Sequence, residues 1–266
     1  MTSDFEFVLF STDPDFVSAA VEAGIETIIV DWENIGKEGR QQGVDTQINY
    51  DTVEDLRRLR ARTHARVICR INSYGAQSDD EIEAAIEAGA NEILLPMARC
   101  VEEVEKLLGA VNERVGMGIL IETVAATERV WEFARLPLSR VYVGLNDLAI
   151  ERKTPNIFSS LIDGTLERVR EPFEVPFGFG GLTLPDKGFP IPCRLLIGEM
   201  VRLRCSFSFL RRSFHRDIQG RDLRVEVPRL RKAIELPRFR TAEAVTRDRI
   251  ELEAAIRSWK QGVHGE

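Results

Sequence analysis

Short apolar runs and helical patterns alternate along this chain from one end to the other. The apolar runs are EFVLFST from Glu6, TIIVDWE from Thr27, RVICRIN from Arg66, NEILLPM from Asn91, GMGILIET from Gly116, RVYVGLND from Arg140, FGFGGLT from Phe177 and CSFSFLRR from Cys205. Between them lie stretches with helical spacing: DPDFVSAAVEAG, DTVEDLRRLRART, SDDEIEAAIEAG, VEEVEKLLGAVNER, AATERVWEFARL, SSLIDGTLERVREPF and PCRLLIGEMVRLR, with basic helical sequence after the last run. The apolar runs are continuous rather than alternating, which predicts strands buried on both faces in a parallel sheet. Asp13-Pro14 and Ser78-Asp79-Asp80-Glu81 supply cap and acidic residues where helices should start. Gly24 and Gly89 stand where helices should stop.

Eight strand-helix units in 266 residues predict an α/β fold of the closed (β/α)8 barrel type, one domain over residues 1–266. An open doubly wound sheet would more often carry a glycine-rich dinucleotide loop after its first strand, and FSTDPDF is not one. Residues 238–262 form a further helical segment with an apolar stripe of Ala244, Val245, Ile250, Leu252, Ala255, Ile256 and Trp259. A barrel closes without it. It is expected to cover its own barrel or, by preference, to lie at the interface of a homo-oligomer.

Composition narrows the function. The formal net charge is −7, which argues against a nucleic-acid partner. From Arg194 onward the chain is basic, with 17 lysines and arginines against 10 acidic residues. No apolar run is long enough for a membrane span, and the first residues lack a signal-peptide pattern. The cysteines Cys69, Cys100, Cys193 and Cys205 are scattered. A reduced, cytoplasmic protein is the expectation.

In a barrel of this kind chemistry sits at the C-terminal ends of the strands. Those ends carry Asp31 and Glu33, Arg70 and Asn72, Pro96 and Met97, Glu122 and Thr123, Asn146 and Asp147, Gly180 and Gly181 of the FGFGG run, and Arg211 and Arg212. Carboxylates from adjacent strands, Glu122 and Asp147, together with water and substrate oxygens, form an all-oxygen site for Mg²⁺ or Mn²⁺. A 2-oxo acid chelates such an ion. Arg70, with its planar fork of donors, is suited to an enolate oxygen formed when a carbon–carbon bond breaks. The glycines Gly180 and Gly181 are candidates for bringing backbone N–H groups to an anion. Consecutive arginines at a strand end point to different sides, so one of Arg211 and Arg212 should face the rim and bind a second carboxylate or phosphate.

The segments AGIETIIVDWEN, VICRINSYG, AGANEILLPM, GILIET and VGLNDLA together resemble the aldolase/citrate lyase β family (HpcH/HpaI type). The resemblance runs from about Ala23 to Leu148. It implies a metal-dependent carbon–carbon lyase acting on a pyruvate-type 2-oxo acid, with Glu122 and Asp147 as metal ligands and Arg70 stabilising the enolate. It also implies trimers or hexamers. The alternatives are a CoA-ester lyase of the citrate lyase β or malyl-CoA type and a non-catalytic barrel that binds a small acid. Asn34 stands where the aldolase branch has a base histidine, and Met97 follows Pro96 as in that branch. The histidines, His64, His215 and His264, lie elsewhere. Asp31, Glu33, Lys37 or a hydroxide on the metal are then the candidate bases, with Asn72, Asn146 and the glycine and arginine pairs as substrate contacts.

Overall fold

The computed structural model describes residues 5–35 and 50–259; Lys37, His264 and the last residues of the 238–262 segment lie outside them. Eight parallel strands run in sequence order around a barrel: β1 (Glu6–Phe10), β2 (Thr27–Asp31), β3 (Arg66–Arg70), β4 (Glu92–Leu95), β5 (Gly116–Ile121), β6 (Arg140–Val143), β7 (Phe177–Phe179) and β8 (Phe207–Leu210). From β1 to β7 each strand pairs with the next, and β1 also pairs with β8. The turn of the sheet from β7 to β8 is the sparsest seam: the N–H of Ser206 donates to the Phe177 carbonyl at 2.9 Å. A Cβ on Gly178 would come 2.3 Å from the Phe207 carbonyl oxygen, so this close approach requires glycine.

The continuous apolar runs resolve into two cores by the period of two along a strand. Val8, Phe10, Ile29, Ile68, Leu94, Leu120, Tyr142, Phe207 and Phe209 fill the barrel interior. Their neighbours, including Phe7, Leu9, Ile28, Val30, Val67, Cys69, Ile93 and Val141, face the helical layer. The barrel floor is ionic. Arg140 donates to Glu92 at 2.7 and 2.9 Å and to Glu6 at 2.9 Å, and its guanidinium lies 4.8 Å from the Phe207 ring centre. The sequence reading did not single out this cluster, although each member is a charged residue at the start of an apolar run.

The outer layer begins with α1 (Pro14–Glu22), α2 (Val53–Arg62), α3 (Ser78–Glu87) and α4 (Val101–Val111). Asp13 caps α1, accepting from the N–H groups of Asp15 and Phe16. Ser78 is not a cap; its hydroxyl instead accepts from the Gly75 N–H. Gly24 and Gly89 take φ of +102° and +95° just past their helices. Two expected single helices are broken. AATERVWEFARL divides at Arg129 into α5 (Val124–Glu128) and α6 (Val130–Phe133). SSLIDGTLERVREPF divides at Gly164, whose φ of +83° cannot continue a helix, leaving a 3₁₀ turn and α8 (Thr165–Arg170). An additional helix, α7 (Leu145–Glu151), follows β6 directly.

α9 (Cys193–Arg202), α10 (Arg212–Asp217) and α11 (Leu223–Glu235) complete the units, and the tail forms α12 (Ala242–Ser258). α12 packs on α9 of its own barrel, burying Leu252 and Ile256. Arg249 of α12 pairs with the buried Glu199 at 2.5 Å, and the Asn156 amide donates to the Ile256 carbonyl at 2.7 Å. The reason lies in unit six: α8 is only six residues long, and the tail occupies the wall left bare beside it. Part of the expected stripe is thereby covered within the chain, while Ile250 stays exposed. Among the described residues no helix is long and apolar enough to cross a membrane. The four cysteines are unbridged.

Candidate active site

One step beyond the interior core, the inward-facing parity of each strand delivers polar groups to the mouth of the barrel. Asp31, Arg70, Glu122, Gly144, Gly180 and Arg211 occupy those positions, with Phe10 of the interior core next to them. β2 and β3 are paired with Asp31 opposite Arg70, and this register joins their side chains. Nε of Arg70 donates to Oδ1 of Asp31 and Nη2 to Oδ2, both at 2.7 Å. Nη1 of Arg70 lies 2.9 Å from Oε2 of Glu33. All three side chains are buried. The guanidinium sits 5.2 Å from the centre of the Phe10 ring. Burial disfavours its charge, but Asp31 and Glu33 outweigh that and hold it more firmly protonated than an ordinary arginine. A buried ion pair with this many hydrogen bonds fixes orientation more than it adds stability. Asp31 is anchored in turn: its N–H donates to Oδ2 of Asp51 at 2.9 Å, and Asp51 also accepts from the Thr12 hydroxyl.

Glu122 ends β5 and is 2% exposed. Its Oε1 accepts from the Met97 N–H at 2.8 Å. Burial, with the negative charges of Asp147 and Glu33 behind it, pushes its carboxyl up to about 8; Arg70 and the Met97 N–H act in the opposite sense. Glu122 thus lies close enough to Asp147 and Glu33 for their charge to act on it. Asp147 reaches this position because Gly144 ends β6 and the chain turns at once into α7, placing Asp147 in its first turn. Gly144 has a specific reason to be glycine. A Cβ there would stand 2.1 Å from Oε2 and 2.8 Å from Cβ of Glu122.

The remaining expected contacts divide. Arg211 faces inward, its guanidinium 4.4 Å from the centre of the Phe10 ring; Arg212 is exposed at the start of α10. Gly180 borders the mouth, where an added Cβ would lie 3.2 Å from the Tyr142 hydroxyl. Gly181 turns away: its φ is +109° and an added Cβ would strike Leu196 of α9 at 2.8 Å. Asn72 is engaged by its own chain. Its amide oxygen accepts from the N–H groups of Asn34 and Ile35, and its amide nitrogen donates to Glu81 at 2.6 Å. Asn146 lies half-buried beside Asp147 in α7. His64 is exposed before β3, and His215 sits on α10, bonded through Nε2 to the Phe10 carbonyl at 2.6 Å and packed on Phe16. Neither takes the place of a base at the rim.

Asp51, Glu81 and Gly144 contribute to this site without having been singled out as functional. Asp51 and Glu81 act on partners far away in sequence, so only Gly144, at the tip of VYVG, carried a local signal. Among the described residues no three or more His, Cys, Asp or Glu side chains form a metal-holding group.

No family model matches the chain, and no curated protein matches it in sequence. Solved structures match it in fold. The citrate synthase SbnG superposes with a TM-score of 0.57 at 18% identity, covering 78% of this chain and 86% of that one. RipC from Yersinia pestis gives 0.57 at 15% identity over 92% of this chain and all of its own. A tryptophan synthase chain from M. tuberculosis gives 0.59 at 13% identity, covering 88% and 94%. The shared feature is the TIM barrel. At these identities the likeness is one of fold, and the fold hosts many chemistries.

Proposed function

We propose that this protein is a divalent-metal-dependent carbon–carbon lyase or aldolase acting on a 2-oxo acid. The observation that carries the reading is the pairing, in one barrel mouth, of a rigidly held Arg70 with a buried Glu122 beside Asp147. Glu122 and Asp147 fit a hard cation: Glu122 is buried with the negative charges of Asp147 and Glu33 acting on it, and carboxylate oxygens suit Mg²⁺ or Mn²⁺. When bound, such an ion supplies Lewis acidity toward the substrate's carboxylate and keto oxygens.

The chain's own groups then have distinct tasks. Asp31 and Glu33 engage three of the five N–H donors of Arg70. This orients the guanidinium and leaves two N–H groups for an enolate oxygen. Developing negative charge there meets a donor that needs no reorganisation. We assign Asp31 and Glu33 to positioning Arg70 rather than to proton transfer, because both carboxylates are engaged by its guanidinium. The apolar floor of the mouth, Phe10, Tyr142 and Phe209, limits water.

The absence of an imidazole at the rim among the described residues favours one second reading: a barrel that binds a small acid without turning it over. One experiment separates the two. Purified protein is incubated with Mg²⁺ or Mn²⁺, pyruvate and a panel of aldehydes, and new carbon–carbon bonds are followed by mass spectrometry. The lyase reading expects adducts that require the ion and disappear in Asp147→Ala. Pyruvate binding without adducts leaves the second reading.

A further inference from the structure

The acidic run that opens α3 holds two kinds of carboxylate. Asp79 and Asp80 are exposed and supply negative charge to the first turn. Glu81 is half-buried, and its carboxylate is satisfied by Asn72 rather than by a cation. Oε2 accepts from the Asn72 backbone N–H at 3.0 Å, and Oε1 accepts from the Asn72 side-chain amide at 2.6 Å. Burial raises the Glu81 carboxyl above the ordinary range, and the two Asn72 bonds act in the opposite sense. Withdrawing a carboxylate from water is costly, and the exposed aspartates beside it already serve the helix. The position of Glu81 therefore answers to Asn72.

An ionised carboxylate only accepts hydrogen bonds. Glu81 thus fixes the Asn72 amide with its nitrogen toward α3 and its oxygen turned away. That oxygen accepts from the N–H groups of Asn34 at 2.9 Å and Ile35 at 2.8 Å. Those two residues directly follow Glu33. β2 ends at Asp31, and backbone pairing with β3 goes as far as the Trp32 N–H, which donates to the Arg70 carbonyl at 2.8 Å. Asn72, 4% exposed, holds the chain past that point. The consequence reaches the guanidinium. Asp31 grips Arg70 along one edge, through Nε and Nη2, and about that edge the group can still tilt. Glu33, at 2.9 Å from Nη1, removes the tilt.

We infer that Glu81 is a positioning residue for Arg70: through Asn72 it sets the backbone of residues 34 and 35, and with it the Glu33 carboxylate against the guanidinium. This rests on the enolate role of Arg70 in the reading above and assigns that role a support in the outer helical layer.

The test is calorimetric titration of the full chain in Mg²⁺ with oxalate and with pyruvate. Oxalate carries negative charge on the oxygen that pyruvate presents as a ketone, so it reports the alignment of Arg70 more strongly. Glu81→Ala should weaken oxalate by about 10-fold, the loss of one charge-assisted hydrogen bond, and pyruvate by less. Glu81→Gln keeps one of the two acceptors and should fall between. In a Glu33→Gln background, Glu81→Ala should cost little more, because both changes break the same relay. Thermal melts check folding, and if Glu81→Ala does not fold, Glu81→Gln takes its place in the cycle. An unchanged oxalate-to-pyruvate ratio, even with a lower melting temperature, overturns the positioning role and leaves the 2-oxo acid reading in place. A full additional loss in the Glu33→Gln background overturns the route through Glu33. A parent protein that binds neither ligand overturns the 2-oxo acid reading and the inference with it.

Discussion

Substituting Gly144→Ala tests the site through packing alone. The backbone at Gly144 has φ of −83° and ψ of 90°, which alanine adopts without strain, so the effect comes entirely from the added methyl. That carbon would stand 2.1 Å from Oε2, 2.8 Å from Cβ and 3.1 Å from Cδ of Glu122. Rotating the carboxylate aside relieves the first contact but not the second, because Cβ is fixed to the β5 backbone. Ordinary contact distance requires Oε2 to move by roughly 1.3 Å. A displacement of that size breaks the 2.8 Å bond from the Met97 N–H to Oε1. Overpacking plus one lost buried hydrogen bond amounts to about 2–4 kcal/mol. For a chain of this size that corresponds to a melting temperature lower by about 4–16 °C. Metal ligands tolerate errors of only about 0.5 Å, so Mn²⁺ affinity should fall much further than stability does. The assay is a pair of measurements, a thermal melt without metal and a calorimetric Mn²⁺ titration, on parent and variant. Gly109→Ala is the control: it lies within α4 with nothing within 4 Å of the added carbon, and should stabilise by about 0.5–1 kcal/mol. A Gly144→Ala protein that melts with the parent and binds Mn²⁺ equally well would refute the close packing of Glu122 on β6 and its role as a ligand.

Three further outcomes are expected. The Glu122 carboxyl is raised from an ordinary 4.5 to about 8, so its contribution to stability is complete below pH 4.5 and is lost as pH rises through 8; melts of the metal-free protein from pH 5 to 9 should show this loss, and Glu122→Gln should lack it. Arg70→Lys retains charge but not the fork to Asp31 and Glu33, and turnover of a confirmed substrate should fall by about 100-fold or more with a smaller change in KM; an unchanged kcat counts against the enolate role. Ending the chain at Pro237 removes the Leu252 and Ile256 contacts and leaves Glu199 without Arg249, lowering stability by about 4 kcal/mol or more; we propose a homo-oligomer with exposed Leu236, Phe239 and Ile250 at its contact, and full-length protein sedimenting as a monomer would remove that proposal.

The sequence by itself determined the barrel and the order of its rim. Strand parity is a property of the covalent chain: whenever Ile68 faces inward, so does Arg70, and whenever Phe209 does, so does Arg211. Eight continuous apolar runs separated by helical spacing leave few arrangements other than a closed parallel sheet, and the rim then follows from the residue two places beyond each core position. Local rules also located the Asp13 cap and the glycines at 24 and 89, since these depend on neighbours a few residues away. Tertiary structure decided the pairings. The β2–β3 register put Asp31 against Arg70 and brought Glu33 to the same guanidinium. The packing of β5 against β6 made Gly144 indispensable to Glu122. Asn72, whose type invited a role in substrate binding, was claimed by Glu81 and by the N–H groups of residues 34 and 35. The tail helix found its place beside α9 because α8 is short, a vacancy that no property of the tail's own stripe records. Each of these outcomes depends on which groups meet across distant segments, and hydrogen-bonding capacity, once buried, goes to the partner that geometry brings nearest.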